Sequence, residues 1–375
     1  SDYDALYRWS IEESRKFWSS YWDFSGVVGE KGERVLLNGD DIEHAVWFPD
    51  ARLNYAENLL QTRSDEIAIF FRAENKVDRS LSYNTLYQQV AAVAAWLKSQ
   101  GVVKGDRVAA YMANMPETVV AMLAATSLGA VWTSTSPDFG AQSVIERFGQ
   151  TKPKVLFTQD GYFYNGKTVD IREKTHTIQS AIDSIQAVVT VDMTGRDASG
   201  EGRMAWEDIL QNEAGATLSF TACGFNDPLF ILYSSGTTGK PKCITHKVGG
   251  TLLQHRKEQQ LHSDVNPGDR VFYFTTCGWM MWNWLVSALA SRAALVLYDG
   301  SPFYPDGNVL WDYADEVGMT LFGTSAKYID ALKKHGYAPR DSHKLEALRT
   351  LCSTCLLYTS PSPRDHLLQL VCRLL

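Results

Sequence analysis

The chain has 375 residues, 45% of them apolar and 21% charged, the composition of a globular protein with room for two or three domain-sized units. Its formal net charge of −7, with no basic stripe interleaved with aromatics, argues against a general nucleic-acid or membrane-surface binder. No run reaches the ~18 apolar residues that a bilayer-spanning helix needs, and the longest candidate, 285–298, is broken by Arg292.

The first 62 residues are rich in aromatics. Tyr7, Trp9, Phe17, Trp18, Tyr21, Trp22 and Phe24 fall at mixed helical spacings, which reads as an N-terminal segment packing apolar side chains onto a larger body. The chain opens Ser1-Asp-Tyr-Asp, with neither an initiator methionine nor a secretory signal, so an incomplete N-terminus is expected. From residue 67 onward strands and helices alternate. A strand over 67–71 is followed by a helix from Tyr83 to Gln100, whose apolar set Tyr83, Leu86, Tyr87, Val90, Val93, Ala94 and Leu97 keeps the 3.6-residue period and which Gly101 is placed to end. Strand 107–112 leads to a helix opened by Pro116, with Glu117 suited to its dipole, that Gly129 stops. Further strands are predicted at 155–158, 187–191, 229–233, 271–276, 294–298 and 319–322, and the stretches 160–174 and 192–202 read as surface loops. This alternation predicts an α/β fold, layered sheets with flanking helices and parallel strand pairing. Of six cysteines, Cys352 and Cys355 form a C-x-x-C with no second pair or histidine set, so no zinc site is expected and all six read as reduced thiols, as in cytoplasm.

The most informative run is Tyr233-Ser-Ser-Gly-Thr-Thr-Gly-Lys-Pro-Lys242, directly after the apolar 229–232. Ser234, Ser235, Gly236, Thr237, Thr238, Gly239, Lys240 and Lys242 bring hydroxyls, close backbone approach and positive charge to one loop, which suits a polyphosphate. A Walker A loop would need Ser or Thr after its lysine and a helix beyond it. Here Pro241 and Lys242 follow Lys240, and Cys243-Ile-Thr245 reads as a strand. The loop therefore lies between two strands without help from a helix dipole. The bland alternative is an empty Ser/Thr/Gly surface turn.

These ten residues resemble the phosphate loop of the adenylate-forming enzymes, the family of acyl-CoA synthetases, luciferases and peptide-synthetase adenylation domains. Leu81-Ser-Tyr83, Gly101-Val-Val-Lys-Gly-Asp-Arg-Val108 and Ser127-Leu-Gly-Ala-Val-Trp132 are similar to further blocks of that family. Tyr7-Arg-Trp-Ser10 and Leu53-Asn-Tyr-Ala-Glu-Asn-Leu-Leu60 resemble the N-terminal extension of its acetyl-CoA and acetoacetyl-CoA synthetases. The resemblance implies a large N-terminal domain in which ATP, with Mg²⁺ on its phosphates, and a small-molecule acid form an acyl-adenylate that coenzyme A then attacks. In the family the Gly-aromatic step after the next strand lines the acid pocket, which maps that role onto Gly278 and Trp279, with Met280 as an adaptable wall and Asn283 as a donor to a keto oxygen. Trp282 and Trp284 read as core. Gly278-Trp-Met-Met-Trp-Asn-Trp284, Tyr298-Asp-Gly-Ser-Pro302 and Gly323-Thr-Ser-Ala-Lys-Tyr328 look most like the acetoacetyl-CoA synthetases. Acetate, propionate or another short acid stays open, because one methylene in an apolar pocket discriminates by only ~1–3 kcal/mol, and so does a non-catalytic nucleotide-binding remnant. His246 reads as a local structural or surface residue, and Lys333-Lys334 and 340–344 as solvated faces.

The resemblance divides the chain into an extension, 1–62, an AMP-binding domain, 63–354, and a tail, 355–375, that departs from the family at Cys355, where a glycine is expected. The Ser/Pro turn and leucine-rich end of that tail suggest a frameshift or chimeric join, with a divergent terminus as the alternative. The family's Thr-Glu block and catalytic lysine, which would lie beyond this point, are not found, so little or no synthetase activity is expected of this polypeptide by itself.

Overall fold

The structure, a computed structural model, describes residues 2–196, 203–234, 239–354 and 372–373. Helices α1 (Tyr3–Glu12) and α2 (Ser14–Ser25) form the outer N-terminal layer, followed by short α3 (Tyr55–Leu59). The aromatic segment packs as expected along one side. Phe17, Tyr21 and Trp22 are buried, and Trp22 joins a tilted cluster with Phe48 and Phe225 at ring separations of 4.9–6.2 Å. Tyr7 and Phe24 are exposed, so the packing face is narrower than the aromatic count suggests. Asn54 anchors α3 to the main body. Its Oδ1 caps Glu57 N, while its Nδ2 donates to the carbonyls of Thr126, Ser127 and Thr221 at 2.9–3.1 Å.

Strands β1 (Ile67–Ala73) and β2 (Val77–Ser82) pair antiparallel. Ser82 then caps α4 (Tyr83–Ser99) by accepting from Thr85 N, and Gly101, at φ +70°, supplies the left-handed turn beyond its end. Next come β3 (Arg107–Tyr111), α5 (Pro116–Ser127), β4 (Val131–Thr135), α6 (Ala141–Thr151) and β5 (Val155–Gln159). They are followed by β6 (Gly161–Tyr164), β7 (Lys167–Asp170), α7 (Arg172–Ala181), β8 (Ala187–Val191), β9 (Arg203–Ala205) and α8 (Trp206–Asn212). The chain continues through β10 (Pro228–Ser234), β11 (Lys242–Lys247), α9 (Val248–Lys257), β12 (Arg270–Tyr273), α10 (Met280–Val286) and β13 (Ala294–Asp299). It closes with α11 (Val309–Val317), β14 (Leu321–Ser325), α12 (Ala326–Lys334), β15 (Thr350–Thr354) and β16 (Cys372–Arg373).

Fourteen of these sixteen strands form two seven-stranded sheets, and β6 and β7 pair separately. The first has the order β9-β8-β5-β3-β4-β10-β11 and is parallel except at the β10–β11 edge. The second has the order β16-β15-β14-β12-β13-β1-β2 and is parallel except at its two outer pairs. Helix α5 is buried at all twelve positions, as a helix that is apolar all round must be. It packs on α4, and one continuous core joins both helices to strands of both sheets, including Val108, Trp132, Val271 and Leu295. Among the described residues no helix is long and apolar enough to cross a membrane.

Two expectations need correction. The stretch 160–174 is not a loop: β6 and β7 form a tight hairpin with Tyr164 opposite Lys167, and α7 begins at Arg172. Its turn residues Asn165 and Gly166 both take positive φ (+53° and +76°), the geometry for which an Asn-Gly pair in a two-residue hairpin is favoured. The strand expected over 271–276 ends at Tyr273, because the backbone beyond it turns to bond the first sheet through Cys277. Of the second expected loop, 192–202, residues 197–202 lie outside the described residues.

Candidate functional site

In both sheets the parallel strands end at one rim, where a ligand site is expected in open α/β sheets. Loops after β3, β4, β12 and β13 meet there. Ser134 Oγ donates to Cys277 O at 2.6 Å and Cys277 Sγ to Met112 O at 2.8 Å, so the loop leaving β12 is sewn onto the first sheet. A hollow of about 410 Å³ lined by Glu66, Ile67, Arg270, Arg292 and Ala294 lies at the opposite, N-terminal ends of β1, β12 and β13. It is at the wrong end to serve this rim.

The phosphate-loop candidate springs from the rim as the connection of a β-hairpin. Ser234 pairs with Lys242 and Tyr233 with Cys243, so the residues between lie between two antiparallel strands and no helix follows. This geometry excludes a Walker A loop. The base of the hairpin is well held. Thr133 Oγ1 donates to Ile231 O and shares a hydrogen bond with Tyr233 Oη, each at 2.8 Å, and Gln150 Nε2 donates to Pro241 O at 3.0 Å. Burial pushes the Tyr233 phenol up to about 12, so it is a neutral support. Gly239 takes φ +152°, with nothing within 4 Å of where a Cβ would stand. Lys240 and Lys242 are exposed and neither pairs with a described acidic residue. Ser235, Gly236, Thr237 and Thr238 lie outside the described residues. Arg147 of α6, not singled out from the sequence, stacks on Phe139 at 4.7 Å and lies 5.8 Å from the Tyr233 ring, adding a cation near the hairpin base.

The acid-pocket candidates divide by exposure. A Cβ on Gly278 would stand 3.4 Å from Ser136 N and 3.6 Å from Phe139 Cε2, so the glycine allows the loop to lie against the β4 rim. Trp279 is 64% exposed and Met280 43%, which puts both on the open side of the rim rather than in a closed wall. Asn283, three residues after Met280 on α10, is fully buried, and neither end of its amide finds a partner among the described residues. Such an orphan costs about 1–3 kcal/mol if left dry, which makes Asn283 a candidate for a bond to water or a ligand. Trp282 and Trp284 are core, as read from the sequence. His246 is half-buried, and desolvation lowers its pKa.

The rim also holds acidic groups that the sequence did not single out. Burial pushes the Asp299 carboxyl up to about 7, against the Asn114 N–H that bonds it, with Asp138 and Glu74 adding repulsion. Glu74 is buried and accepts from three backbone N–H groups, of Asn165, Gly166 and Ser301, at 2.6–3.0 Å. Gly300 has no room for a side chain beside it, since a Cβ there would lie 2.3 Å from Glu74 Cγ.

The model of the AMP-binding enzymes matches residues 56–372, and that of the acetyl-coenzyme A synthetase N-terminus matches residues 3–59. The chain belongs to the AMP-binding enzyme family. It is 49% identical to an acetoacetyl-coenzyme A synthetase of Rhizobium meliloti over 94% of its own length and 55% of that protein's. A malonamoyl-CoA synthetase of Penicillium aethiopicum is 38% identical over 94% of this chain and 53% of its own. The solved acetoacetyl-CoA synthetase from Streptomyces lividans superposes with a TM-score of 0.92 at 42% identity, over 98% of this chain and 56% of that one. The chain thus spans about half the length of these relatives. The α/β reading and the family resemblance drawn from the sequence both hold, and the structural match corresponds to the large N-terminal part of an adenylate-forming enzyme.

Proposed function

We propose that this chain supplies the ATP-phosphate loop and the acid pocket of an acetoacetate–CoA ligase. In the first step a carboxylate oxygen of acetoacetate attacks the α-phosphorus of ATP, the bond to the β-phosphate oxygen breaks, and acetoacetyl-adenylate and pyrophosphate form. In the second, the thiol of coenzyme A attacks the activated carbonyl, loses its proton, and displaces AMP. The observation that carries the reading is the Ser/Gly/Thr/Lys run joining β10 to β11, whose flanking residues Ser234 and Lys242 pair, in a chain nearly half identical to an acetoacetyl-coenzyme A synthetase.

This chain's own residues bind and orient. The hydroxyls and backbone N–H groups of Ser234–Gly239, with Lys240 and Lys242, would hold the β- and γ-phosphates and take up charge as pyrophosphate leaves. The described residues contain no group of three or more His, Cys, Asp or Glu side chains able to hold a metal. Mg²⁺, when bound with the nucleotide, would neutralise charge on the phosphates. Gly278, Trp279 and Met280 would face the acid, and the unpartnered Asn283 amide would donate to its 3-keto oxygen. A site for a 3-carbonyl acid suits the malonamoyl-CoA synthetase relative as well. Malonamate and acetoacetate both carry a carbonyl at that position and differ only in NH₂ against CH₃.

The test is thermal stabilisation of the 375-residue chain by MgATP, alone and with acetoacetate, butyrate or acetate. Nucleotide should raise the melting temperature, Lys242→Ala and Thr237→Ala should abolish the rise, and acetoacetate should add more than butyrate. Equal melting temperatures with and without nucleotide would reject the phosphate-loop assignment.

A further inference from the structure

One buried amide ties the acid-pocket segment to the opposite sheet. Asn114 lies in the turn after β3 and is 1% exposed. Its Oδ1 accepts from Trp282 Nε1 at 2.9 Å, and its Nδ2 donates to Tyr298 O at 3.4 Å and Thr275 O at 3.5 Å. Its backbone N–H donates to Asp299 Oδ1 at 3.3 Å. A residue of the first sheet thereby reaches three parts of the second: the loop leaving β12, the end of β13, and the middle of α10.

The indole bond is the short one, and it reaches the helix itself, between Met281 and Asn283. The Ser134 and Cys277 bonds hold only the loop upstream of α10. Side-chain chemistry singles out asparagine here. One acceptor must meet the indole N–H while donors meet two carbonyls, at a reach set by a single methylene. An aspartate carboxylate would turn oxygens toward both carbonyls, and alanine would leave the indole N–H and two carbonyls unpartnered in the core.

We propose that Asn114 is a positioning residue that sets the height of α10 against the first sheet and so the depth of the acid pocket. The inference rests on reading Gly278–Asn283 as the acid-binding segment. Loss of the tie lets α10 ride outward, which enlarges the pocket and removes the selectivity that a short pocket confers.

The experiment is calorimetric binding of acetoacetate and hexanoate to the MgATP-loaded 375-residue chain and to Asn114→Ala, Trp282→Phe and the double variant. Each single variant should lower the acetoacetate-to-hexanoate affinity ratio by about tenfold, the scale of a methylene-sized change in an apolar pocket. The double variant should fall no further, because both changes break the same bond. Affinities that drop equally for both acids, or single effects that add in full, would show a merely structural role and overturn the inference. Should Asn114→Ala not fold, Trp282→Phe removes the same bond from its other end and decides the matter. A wild-type chain that binds nucleotide but neither acid would reject the acid-pocket reading and the inference with it. A wild-type chain that prefers acetoacetate, with variants that keep its ratio, would reject the inference alone.

Discussion

Replacing Glu74 should loosen the rim in a graded and local way. This side chain sits in the turn between β1 and β2, 2% exposed, and its two carboxylate oxygens are the acceptors for three backbone N–H groups. Oε1 takes Asn165 N at 2.6 Å and Ser301 N at 3.0 Å, and Oε2 takes Gly166 N at 2.9 Å. It thus fastens the β6–β7 hairpin tip to the loop that follows Asp299. Glu74→Ala orphans all three donors. At ~1–3 kcal/mol per unsatisfied buried donor, and with partial re-solvation of the freed turn, a local loss of about 3–5 kcal/mol is expected. Glu74→Gln keeps one oxygen able to serve Asn165 and Ser301 but turns an NH₂ toward Gly166 N–H, for a loss of about 1–2 kcal/mol. Hydrogen exchange followed by mass spectrometry reads this directly. Protection in peptides covering 161–170 and 299–305 should fall by at least 100-fold for Ala and roughly tenfold for Gln, with the β3–β4–β5 core unchanged. Equal effects of Ala and Gln, or a uniform loss across the chain, would refute the reasoning.

Four further outcomes are expected. Asp299 has a folded pKa of about 7, above the 3.8 of a free side chain, so its contribution to stability is fully present below about pH 4 and is lost as pH rises through 7. Asp299→Asn should flatten that part of a melting-temperature-against-pH profile. His255, buried and bonded through Nδ1 to Ser287 Oγ at 2.8 Å, is lowered to about 3 by desolvation, helped by the nearby His246. Protonation then favours the unfolded chain, stability falls from about pH 6.5 downward by up to ~1.4 kcal/mol per unit, and His255→Phe should remove that slope in denaturation measured between pH 7 and 5. Arg256 is 5% exposed, and its Nε and Nη1 have no partner among the described residues. Arg256→Leu should leave stability unchanged or raise it by about 1–4 kcal/mol in thermal melts, since a buried charge with two unpartnered nitrogens is replaced by apolar volume; a drop of that size would refute this reading. Cys243 is exposed on β11 whereas Cys277 is buried with its thiol pushed well above the usual range. Mapping by mass spectrometry should find alkylation at Cys243 and none at Cys277 in the folded chain, with MgATP slowing the Cys243 reaction.

Much of the fold was legible because it depends on short-range signals. Period 3.6 over 83–100, Pro116 at a helix start and the glycines after α4 and α5 act within a few residues, and the structure follows them closely. The β6–β7 hairpin was missed: its Asn165-Gly166 turn signal was there to be used, but 160–174 read as loop. The phosphate-loop candidate stood out as a contiguous run, and the strand pairing of its flanking residues sets it between two strands.

The sequence by itself determined most of the elements, the family and the place of the Ser/Gly/Thr/Lys run, all carried by residues that are neighbours along the chain. Only the tertiary structure decided what meets at the rim. Asn114 and Trp282 are 168 residues apart, and Glu74 and Ser301 are 227 apart, yet each pair shares a hydrogen bond. No local pattern encodes such a contact, because parallel strands must be brought together by long crossovers before their ends can touch. The same cause explains why the sequence did not single out Asp299 as a titrating group. Its raised pKa comes from burial against groups that only the folded sheets assemble around it.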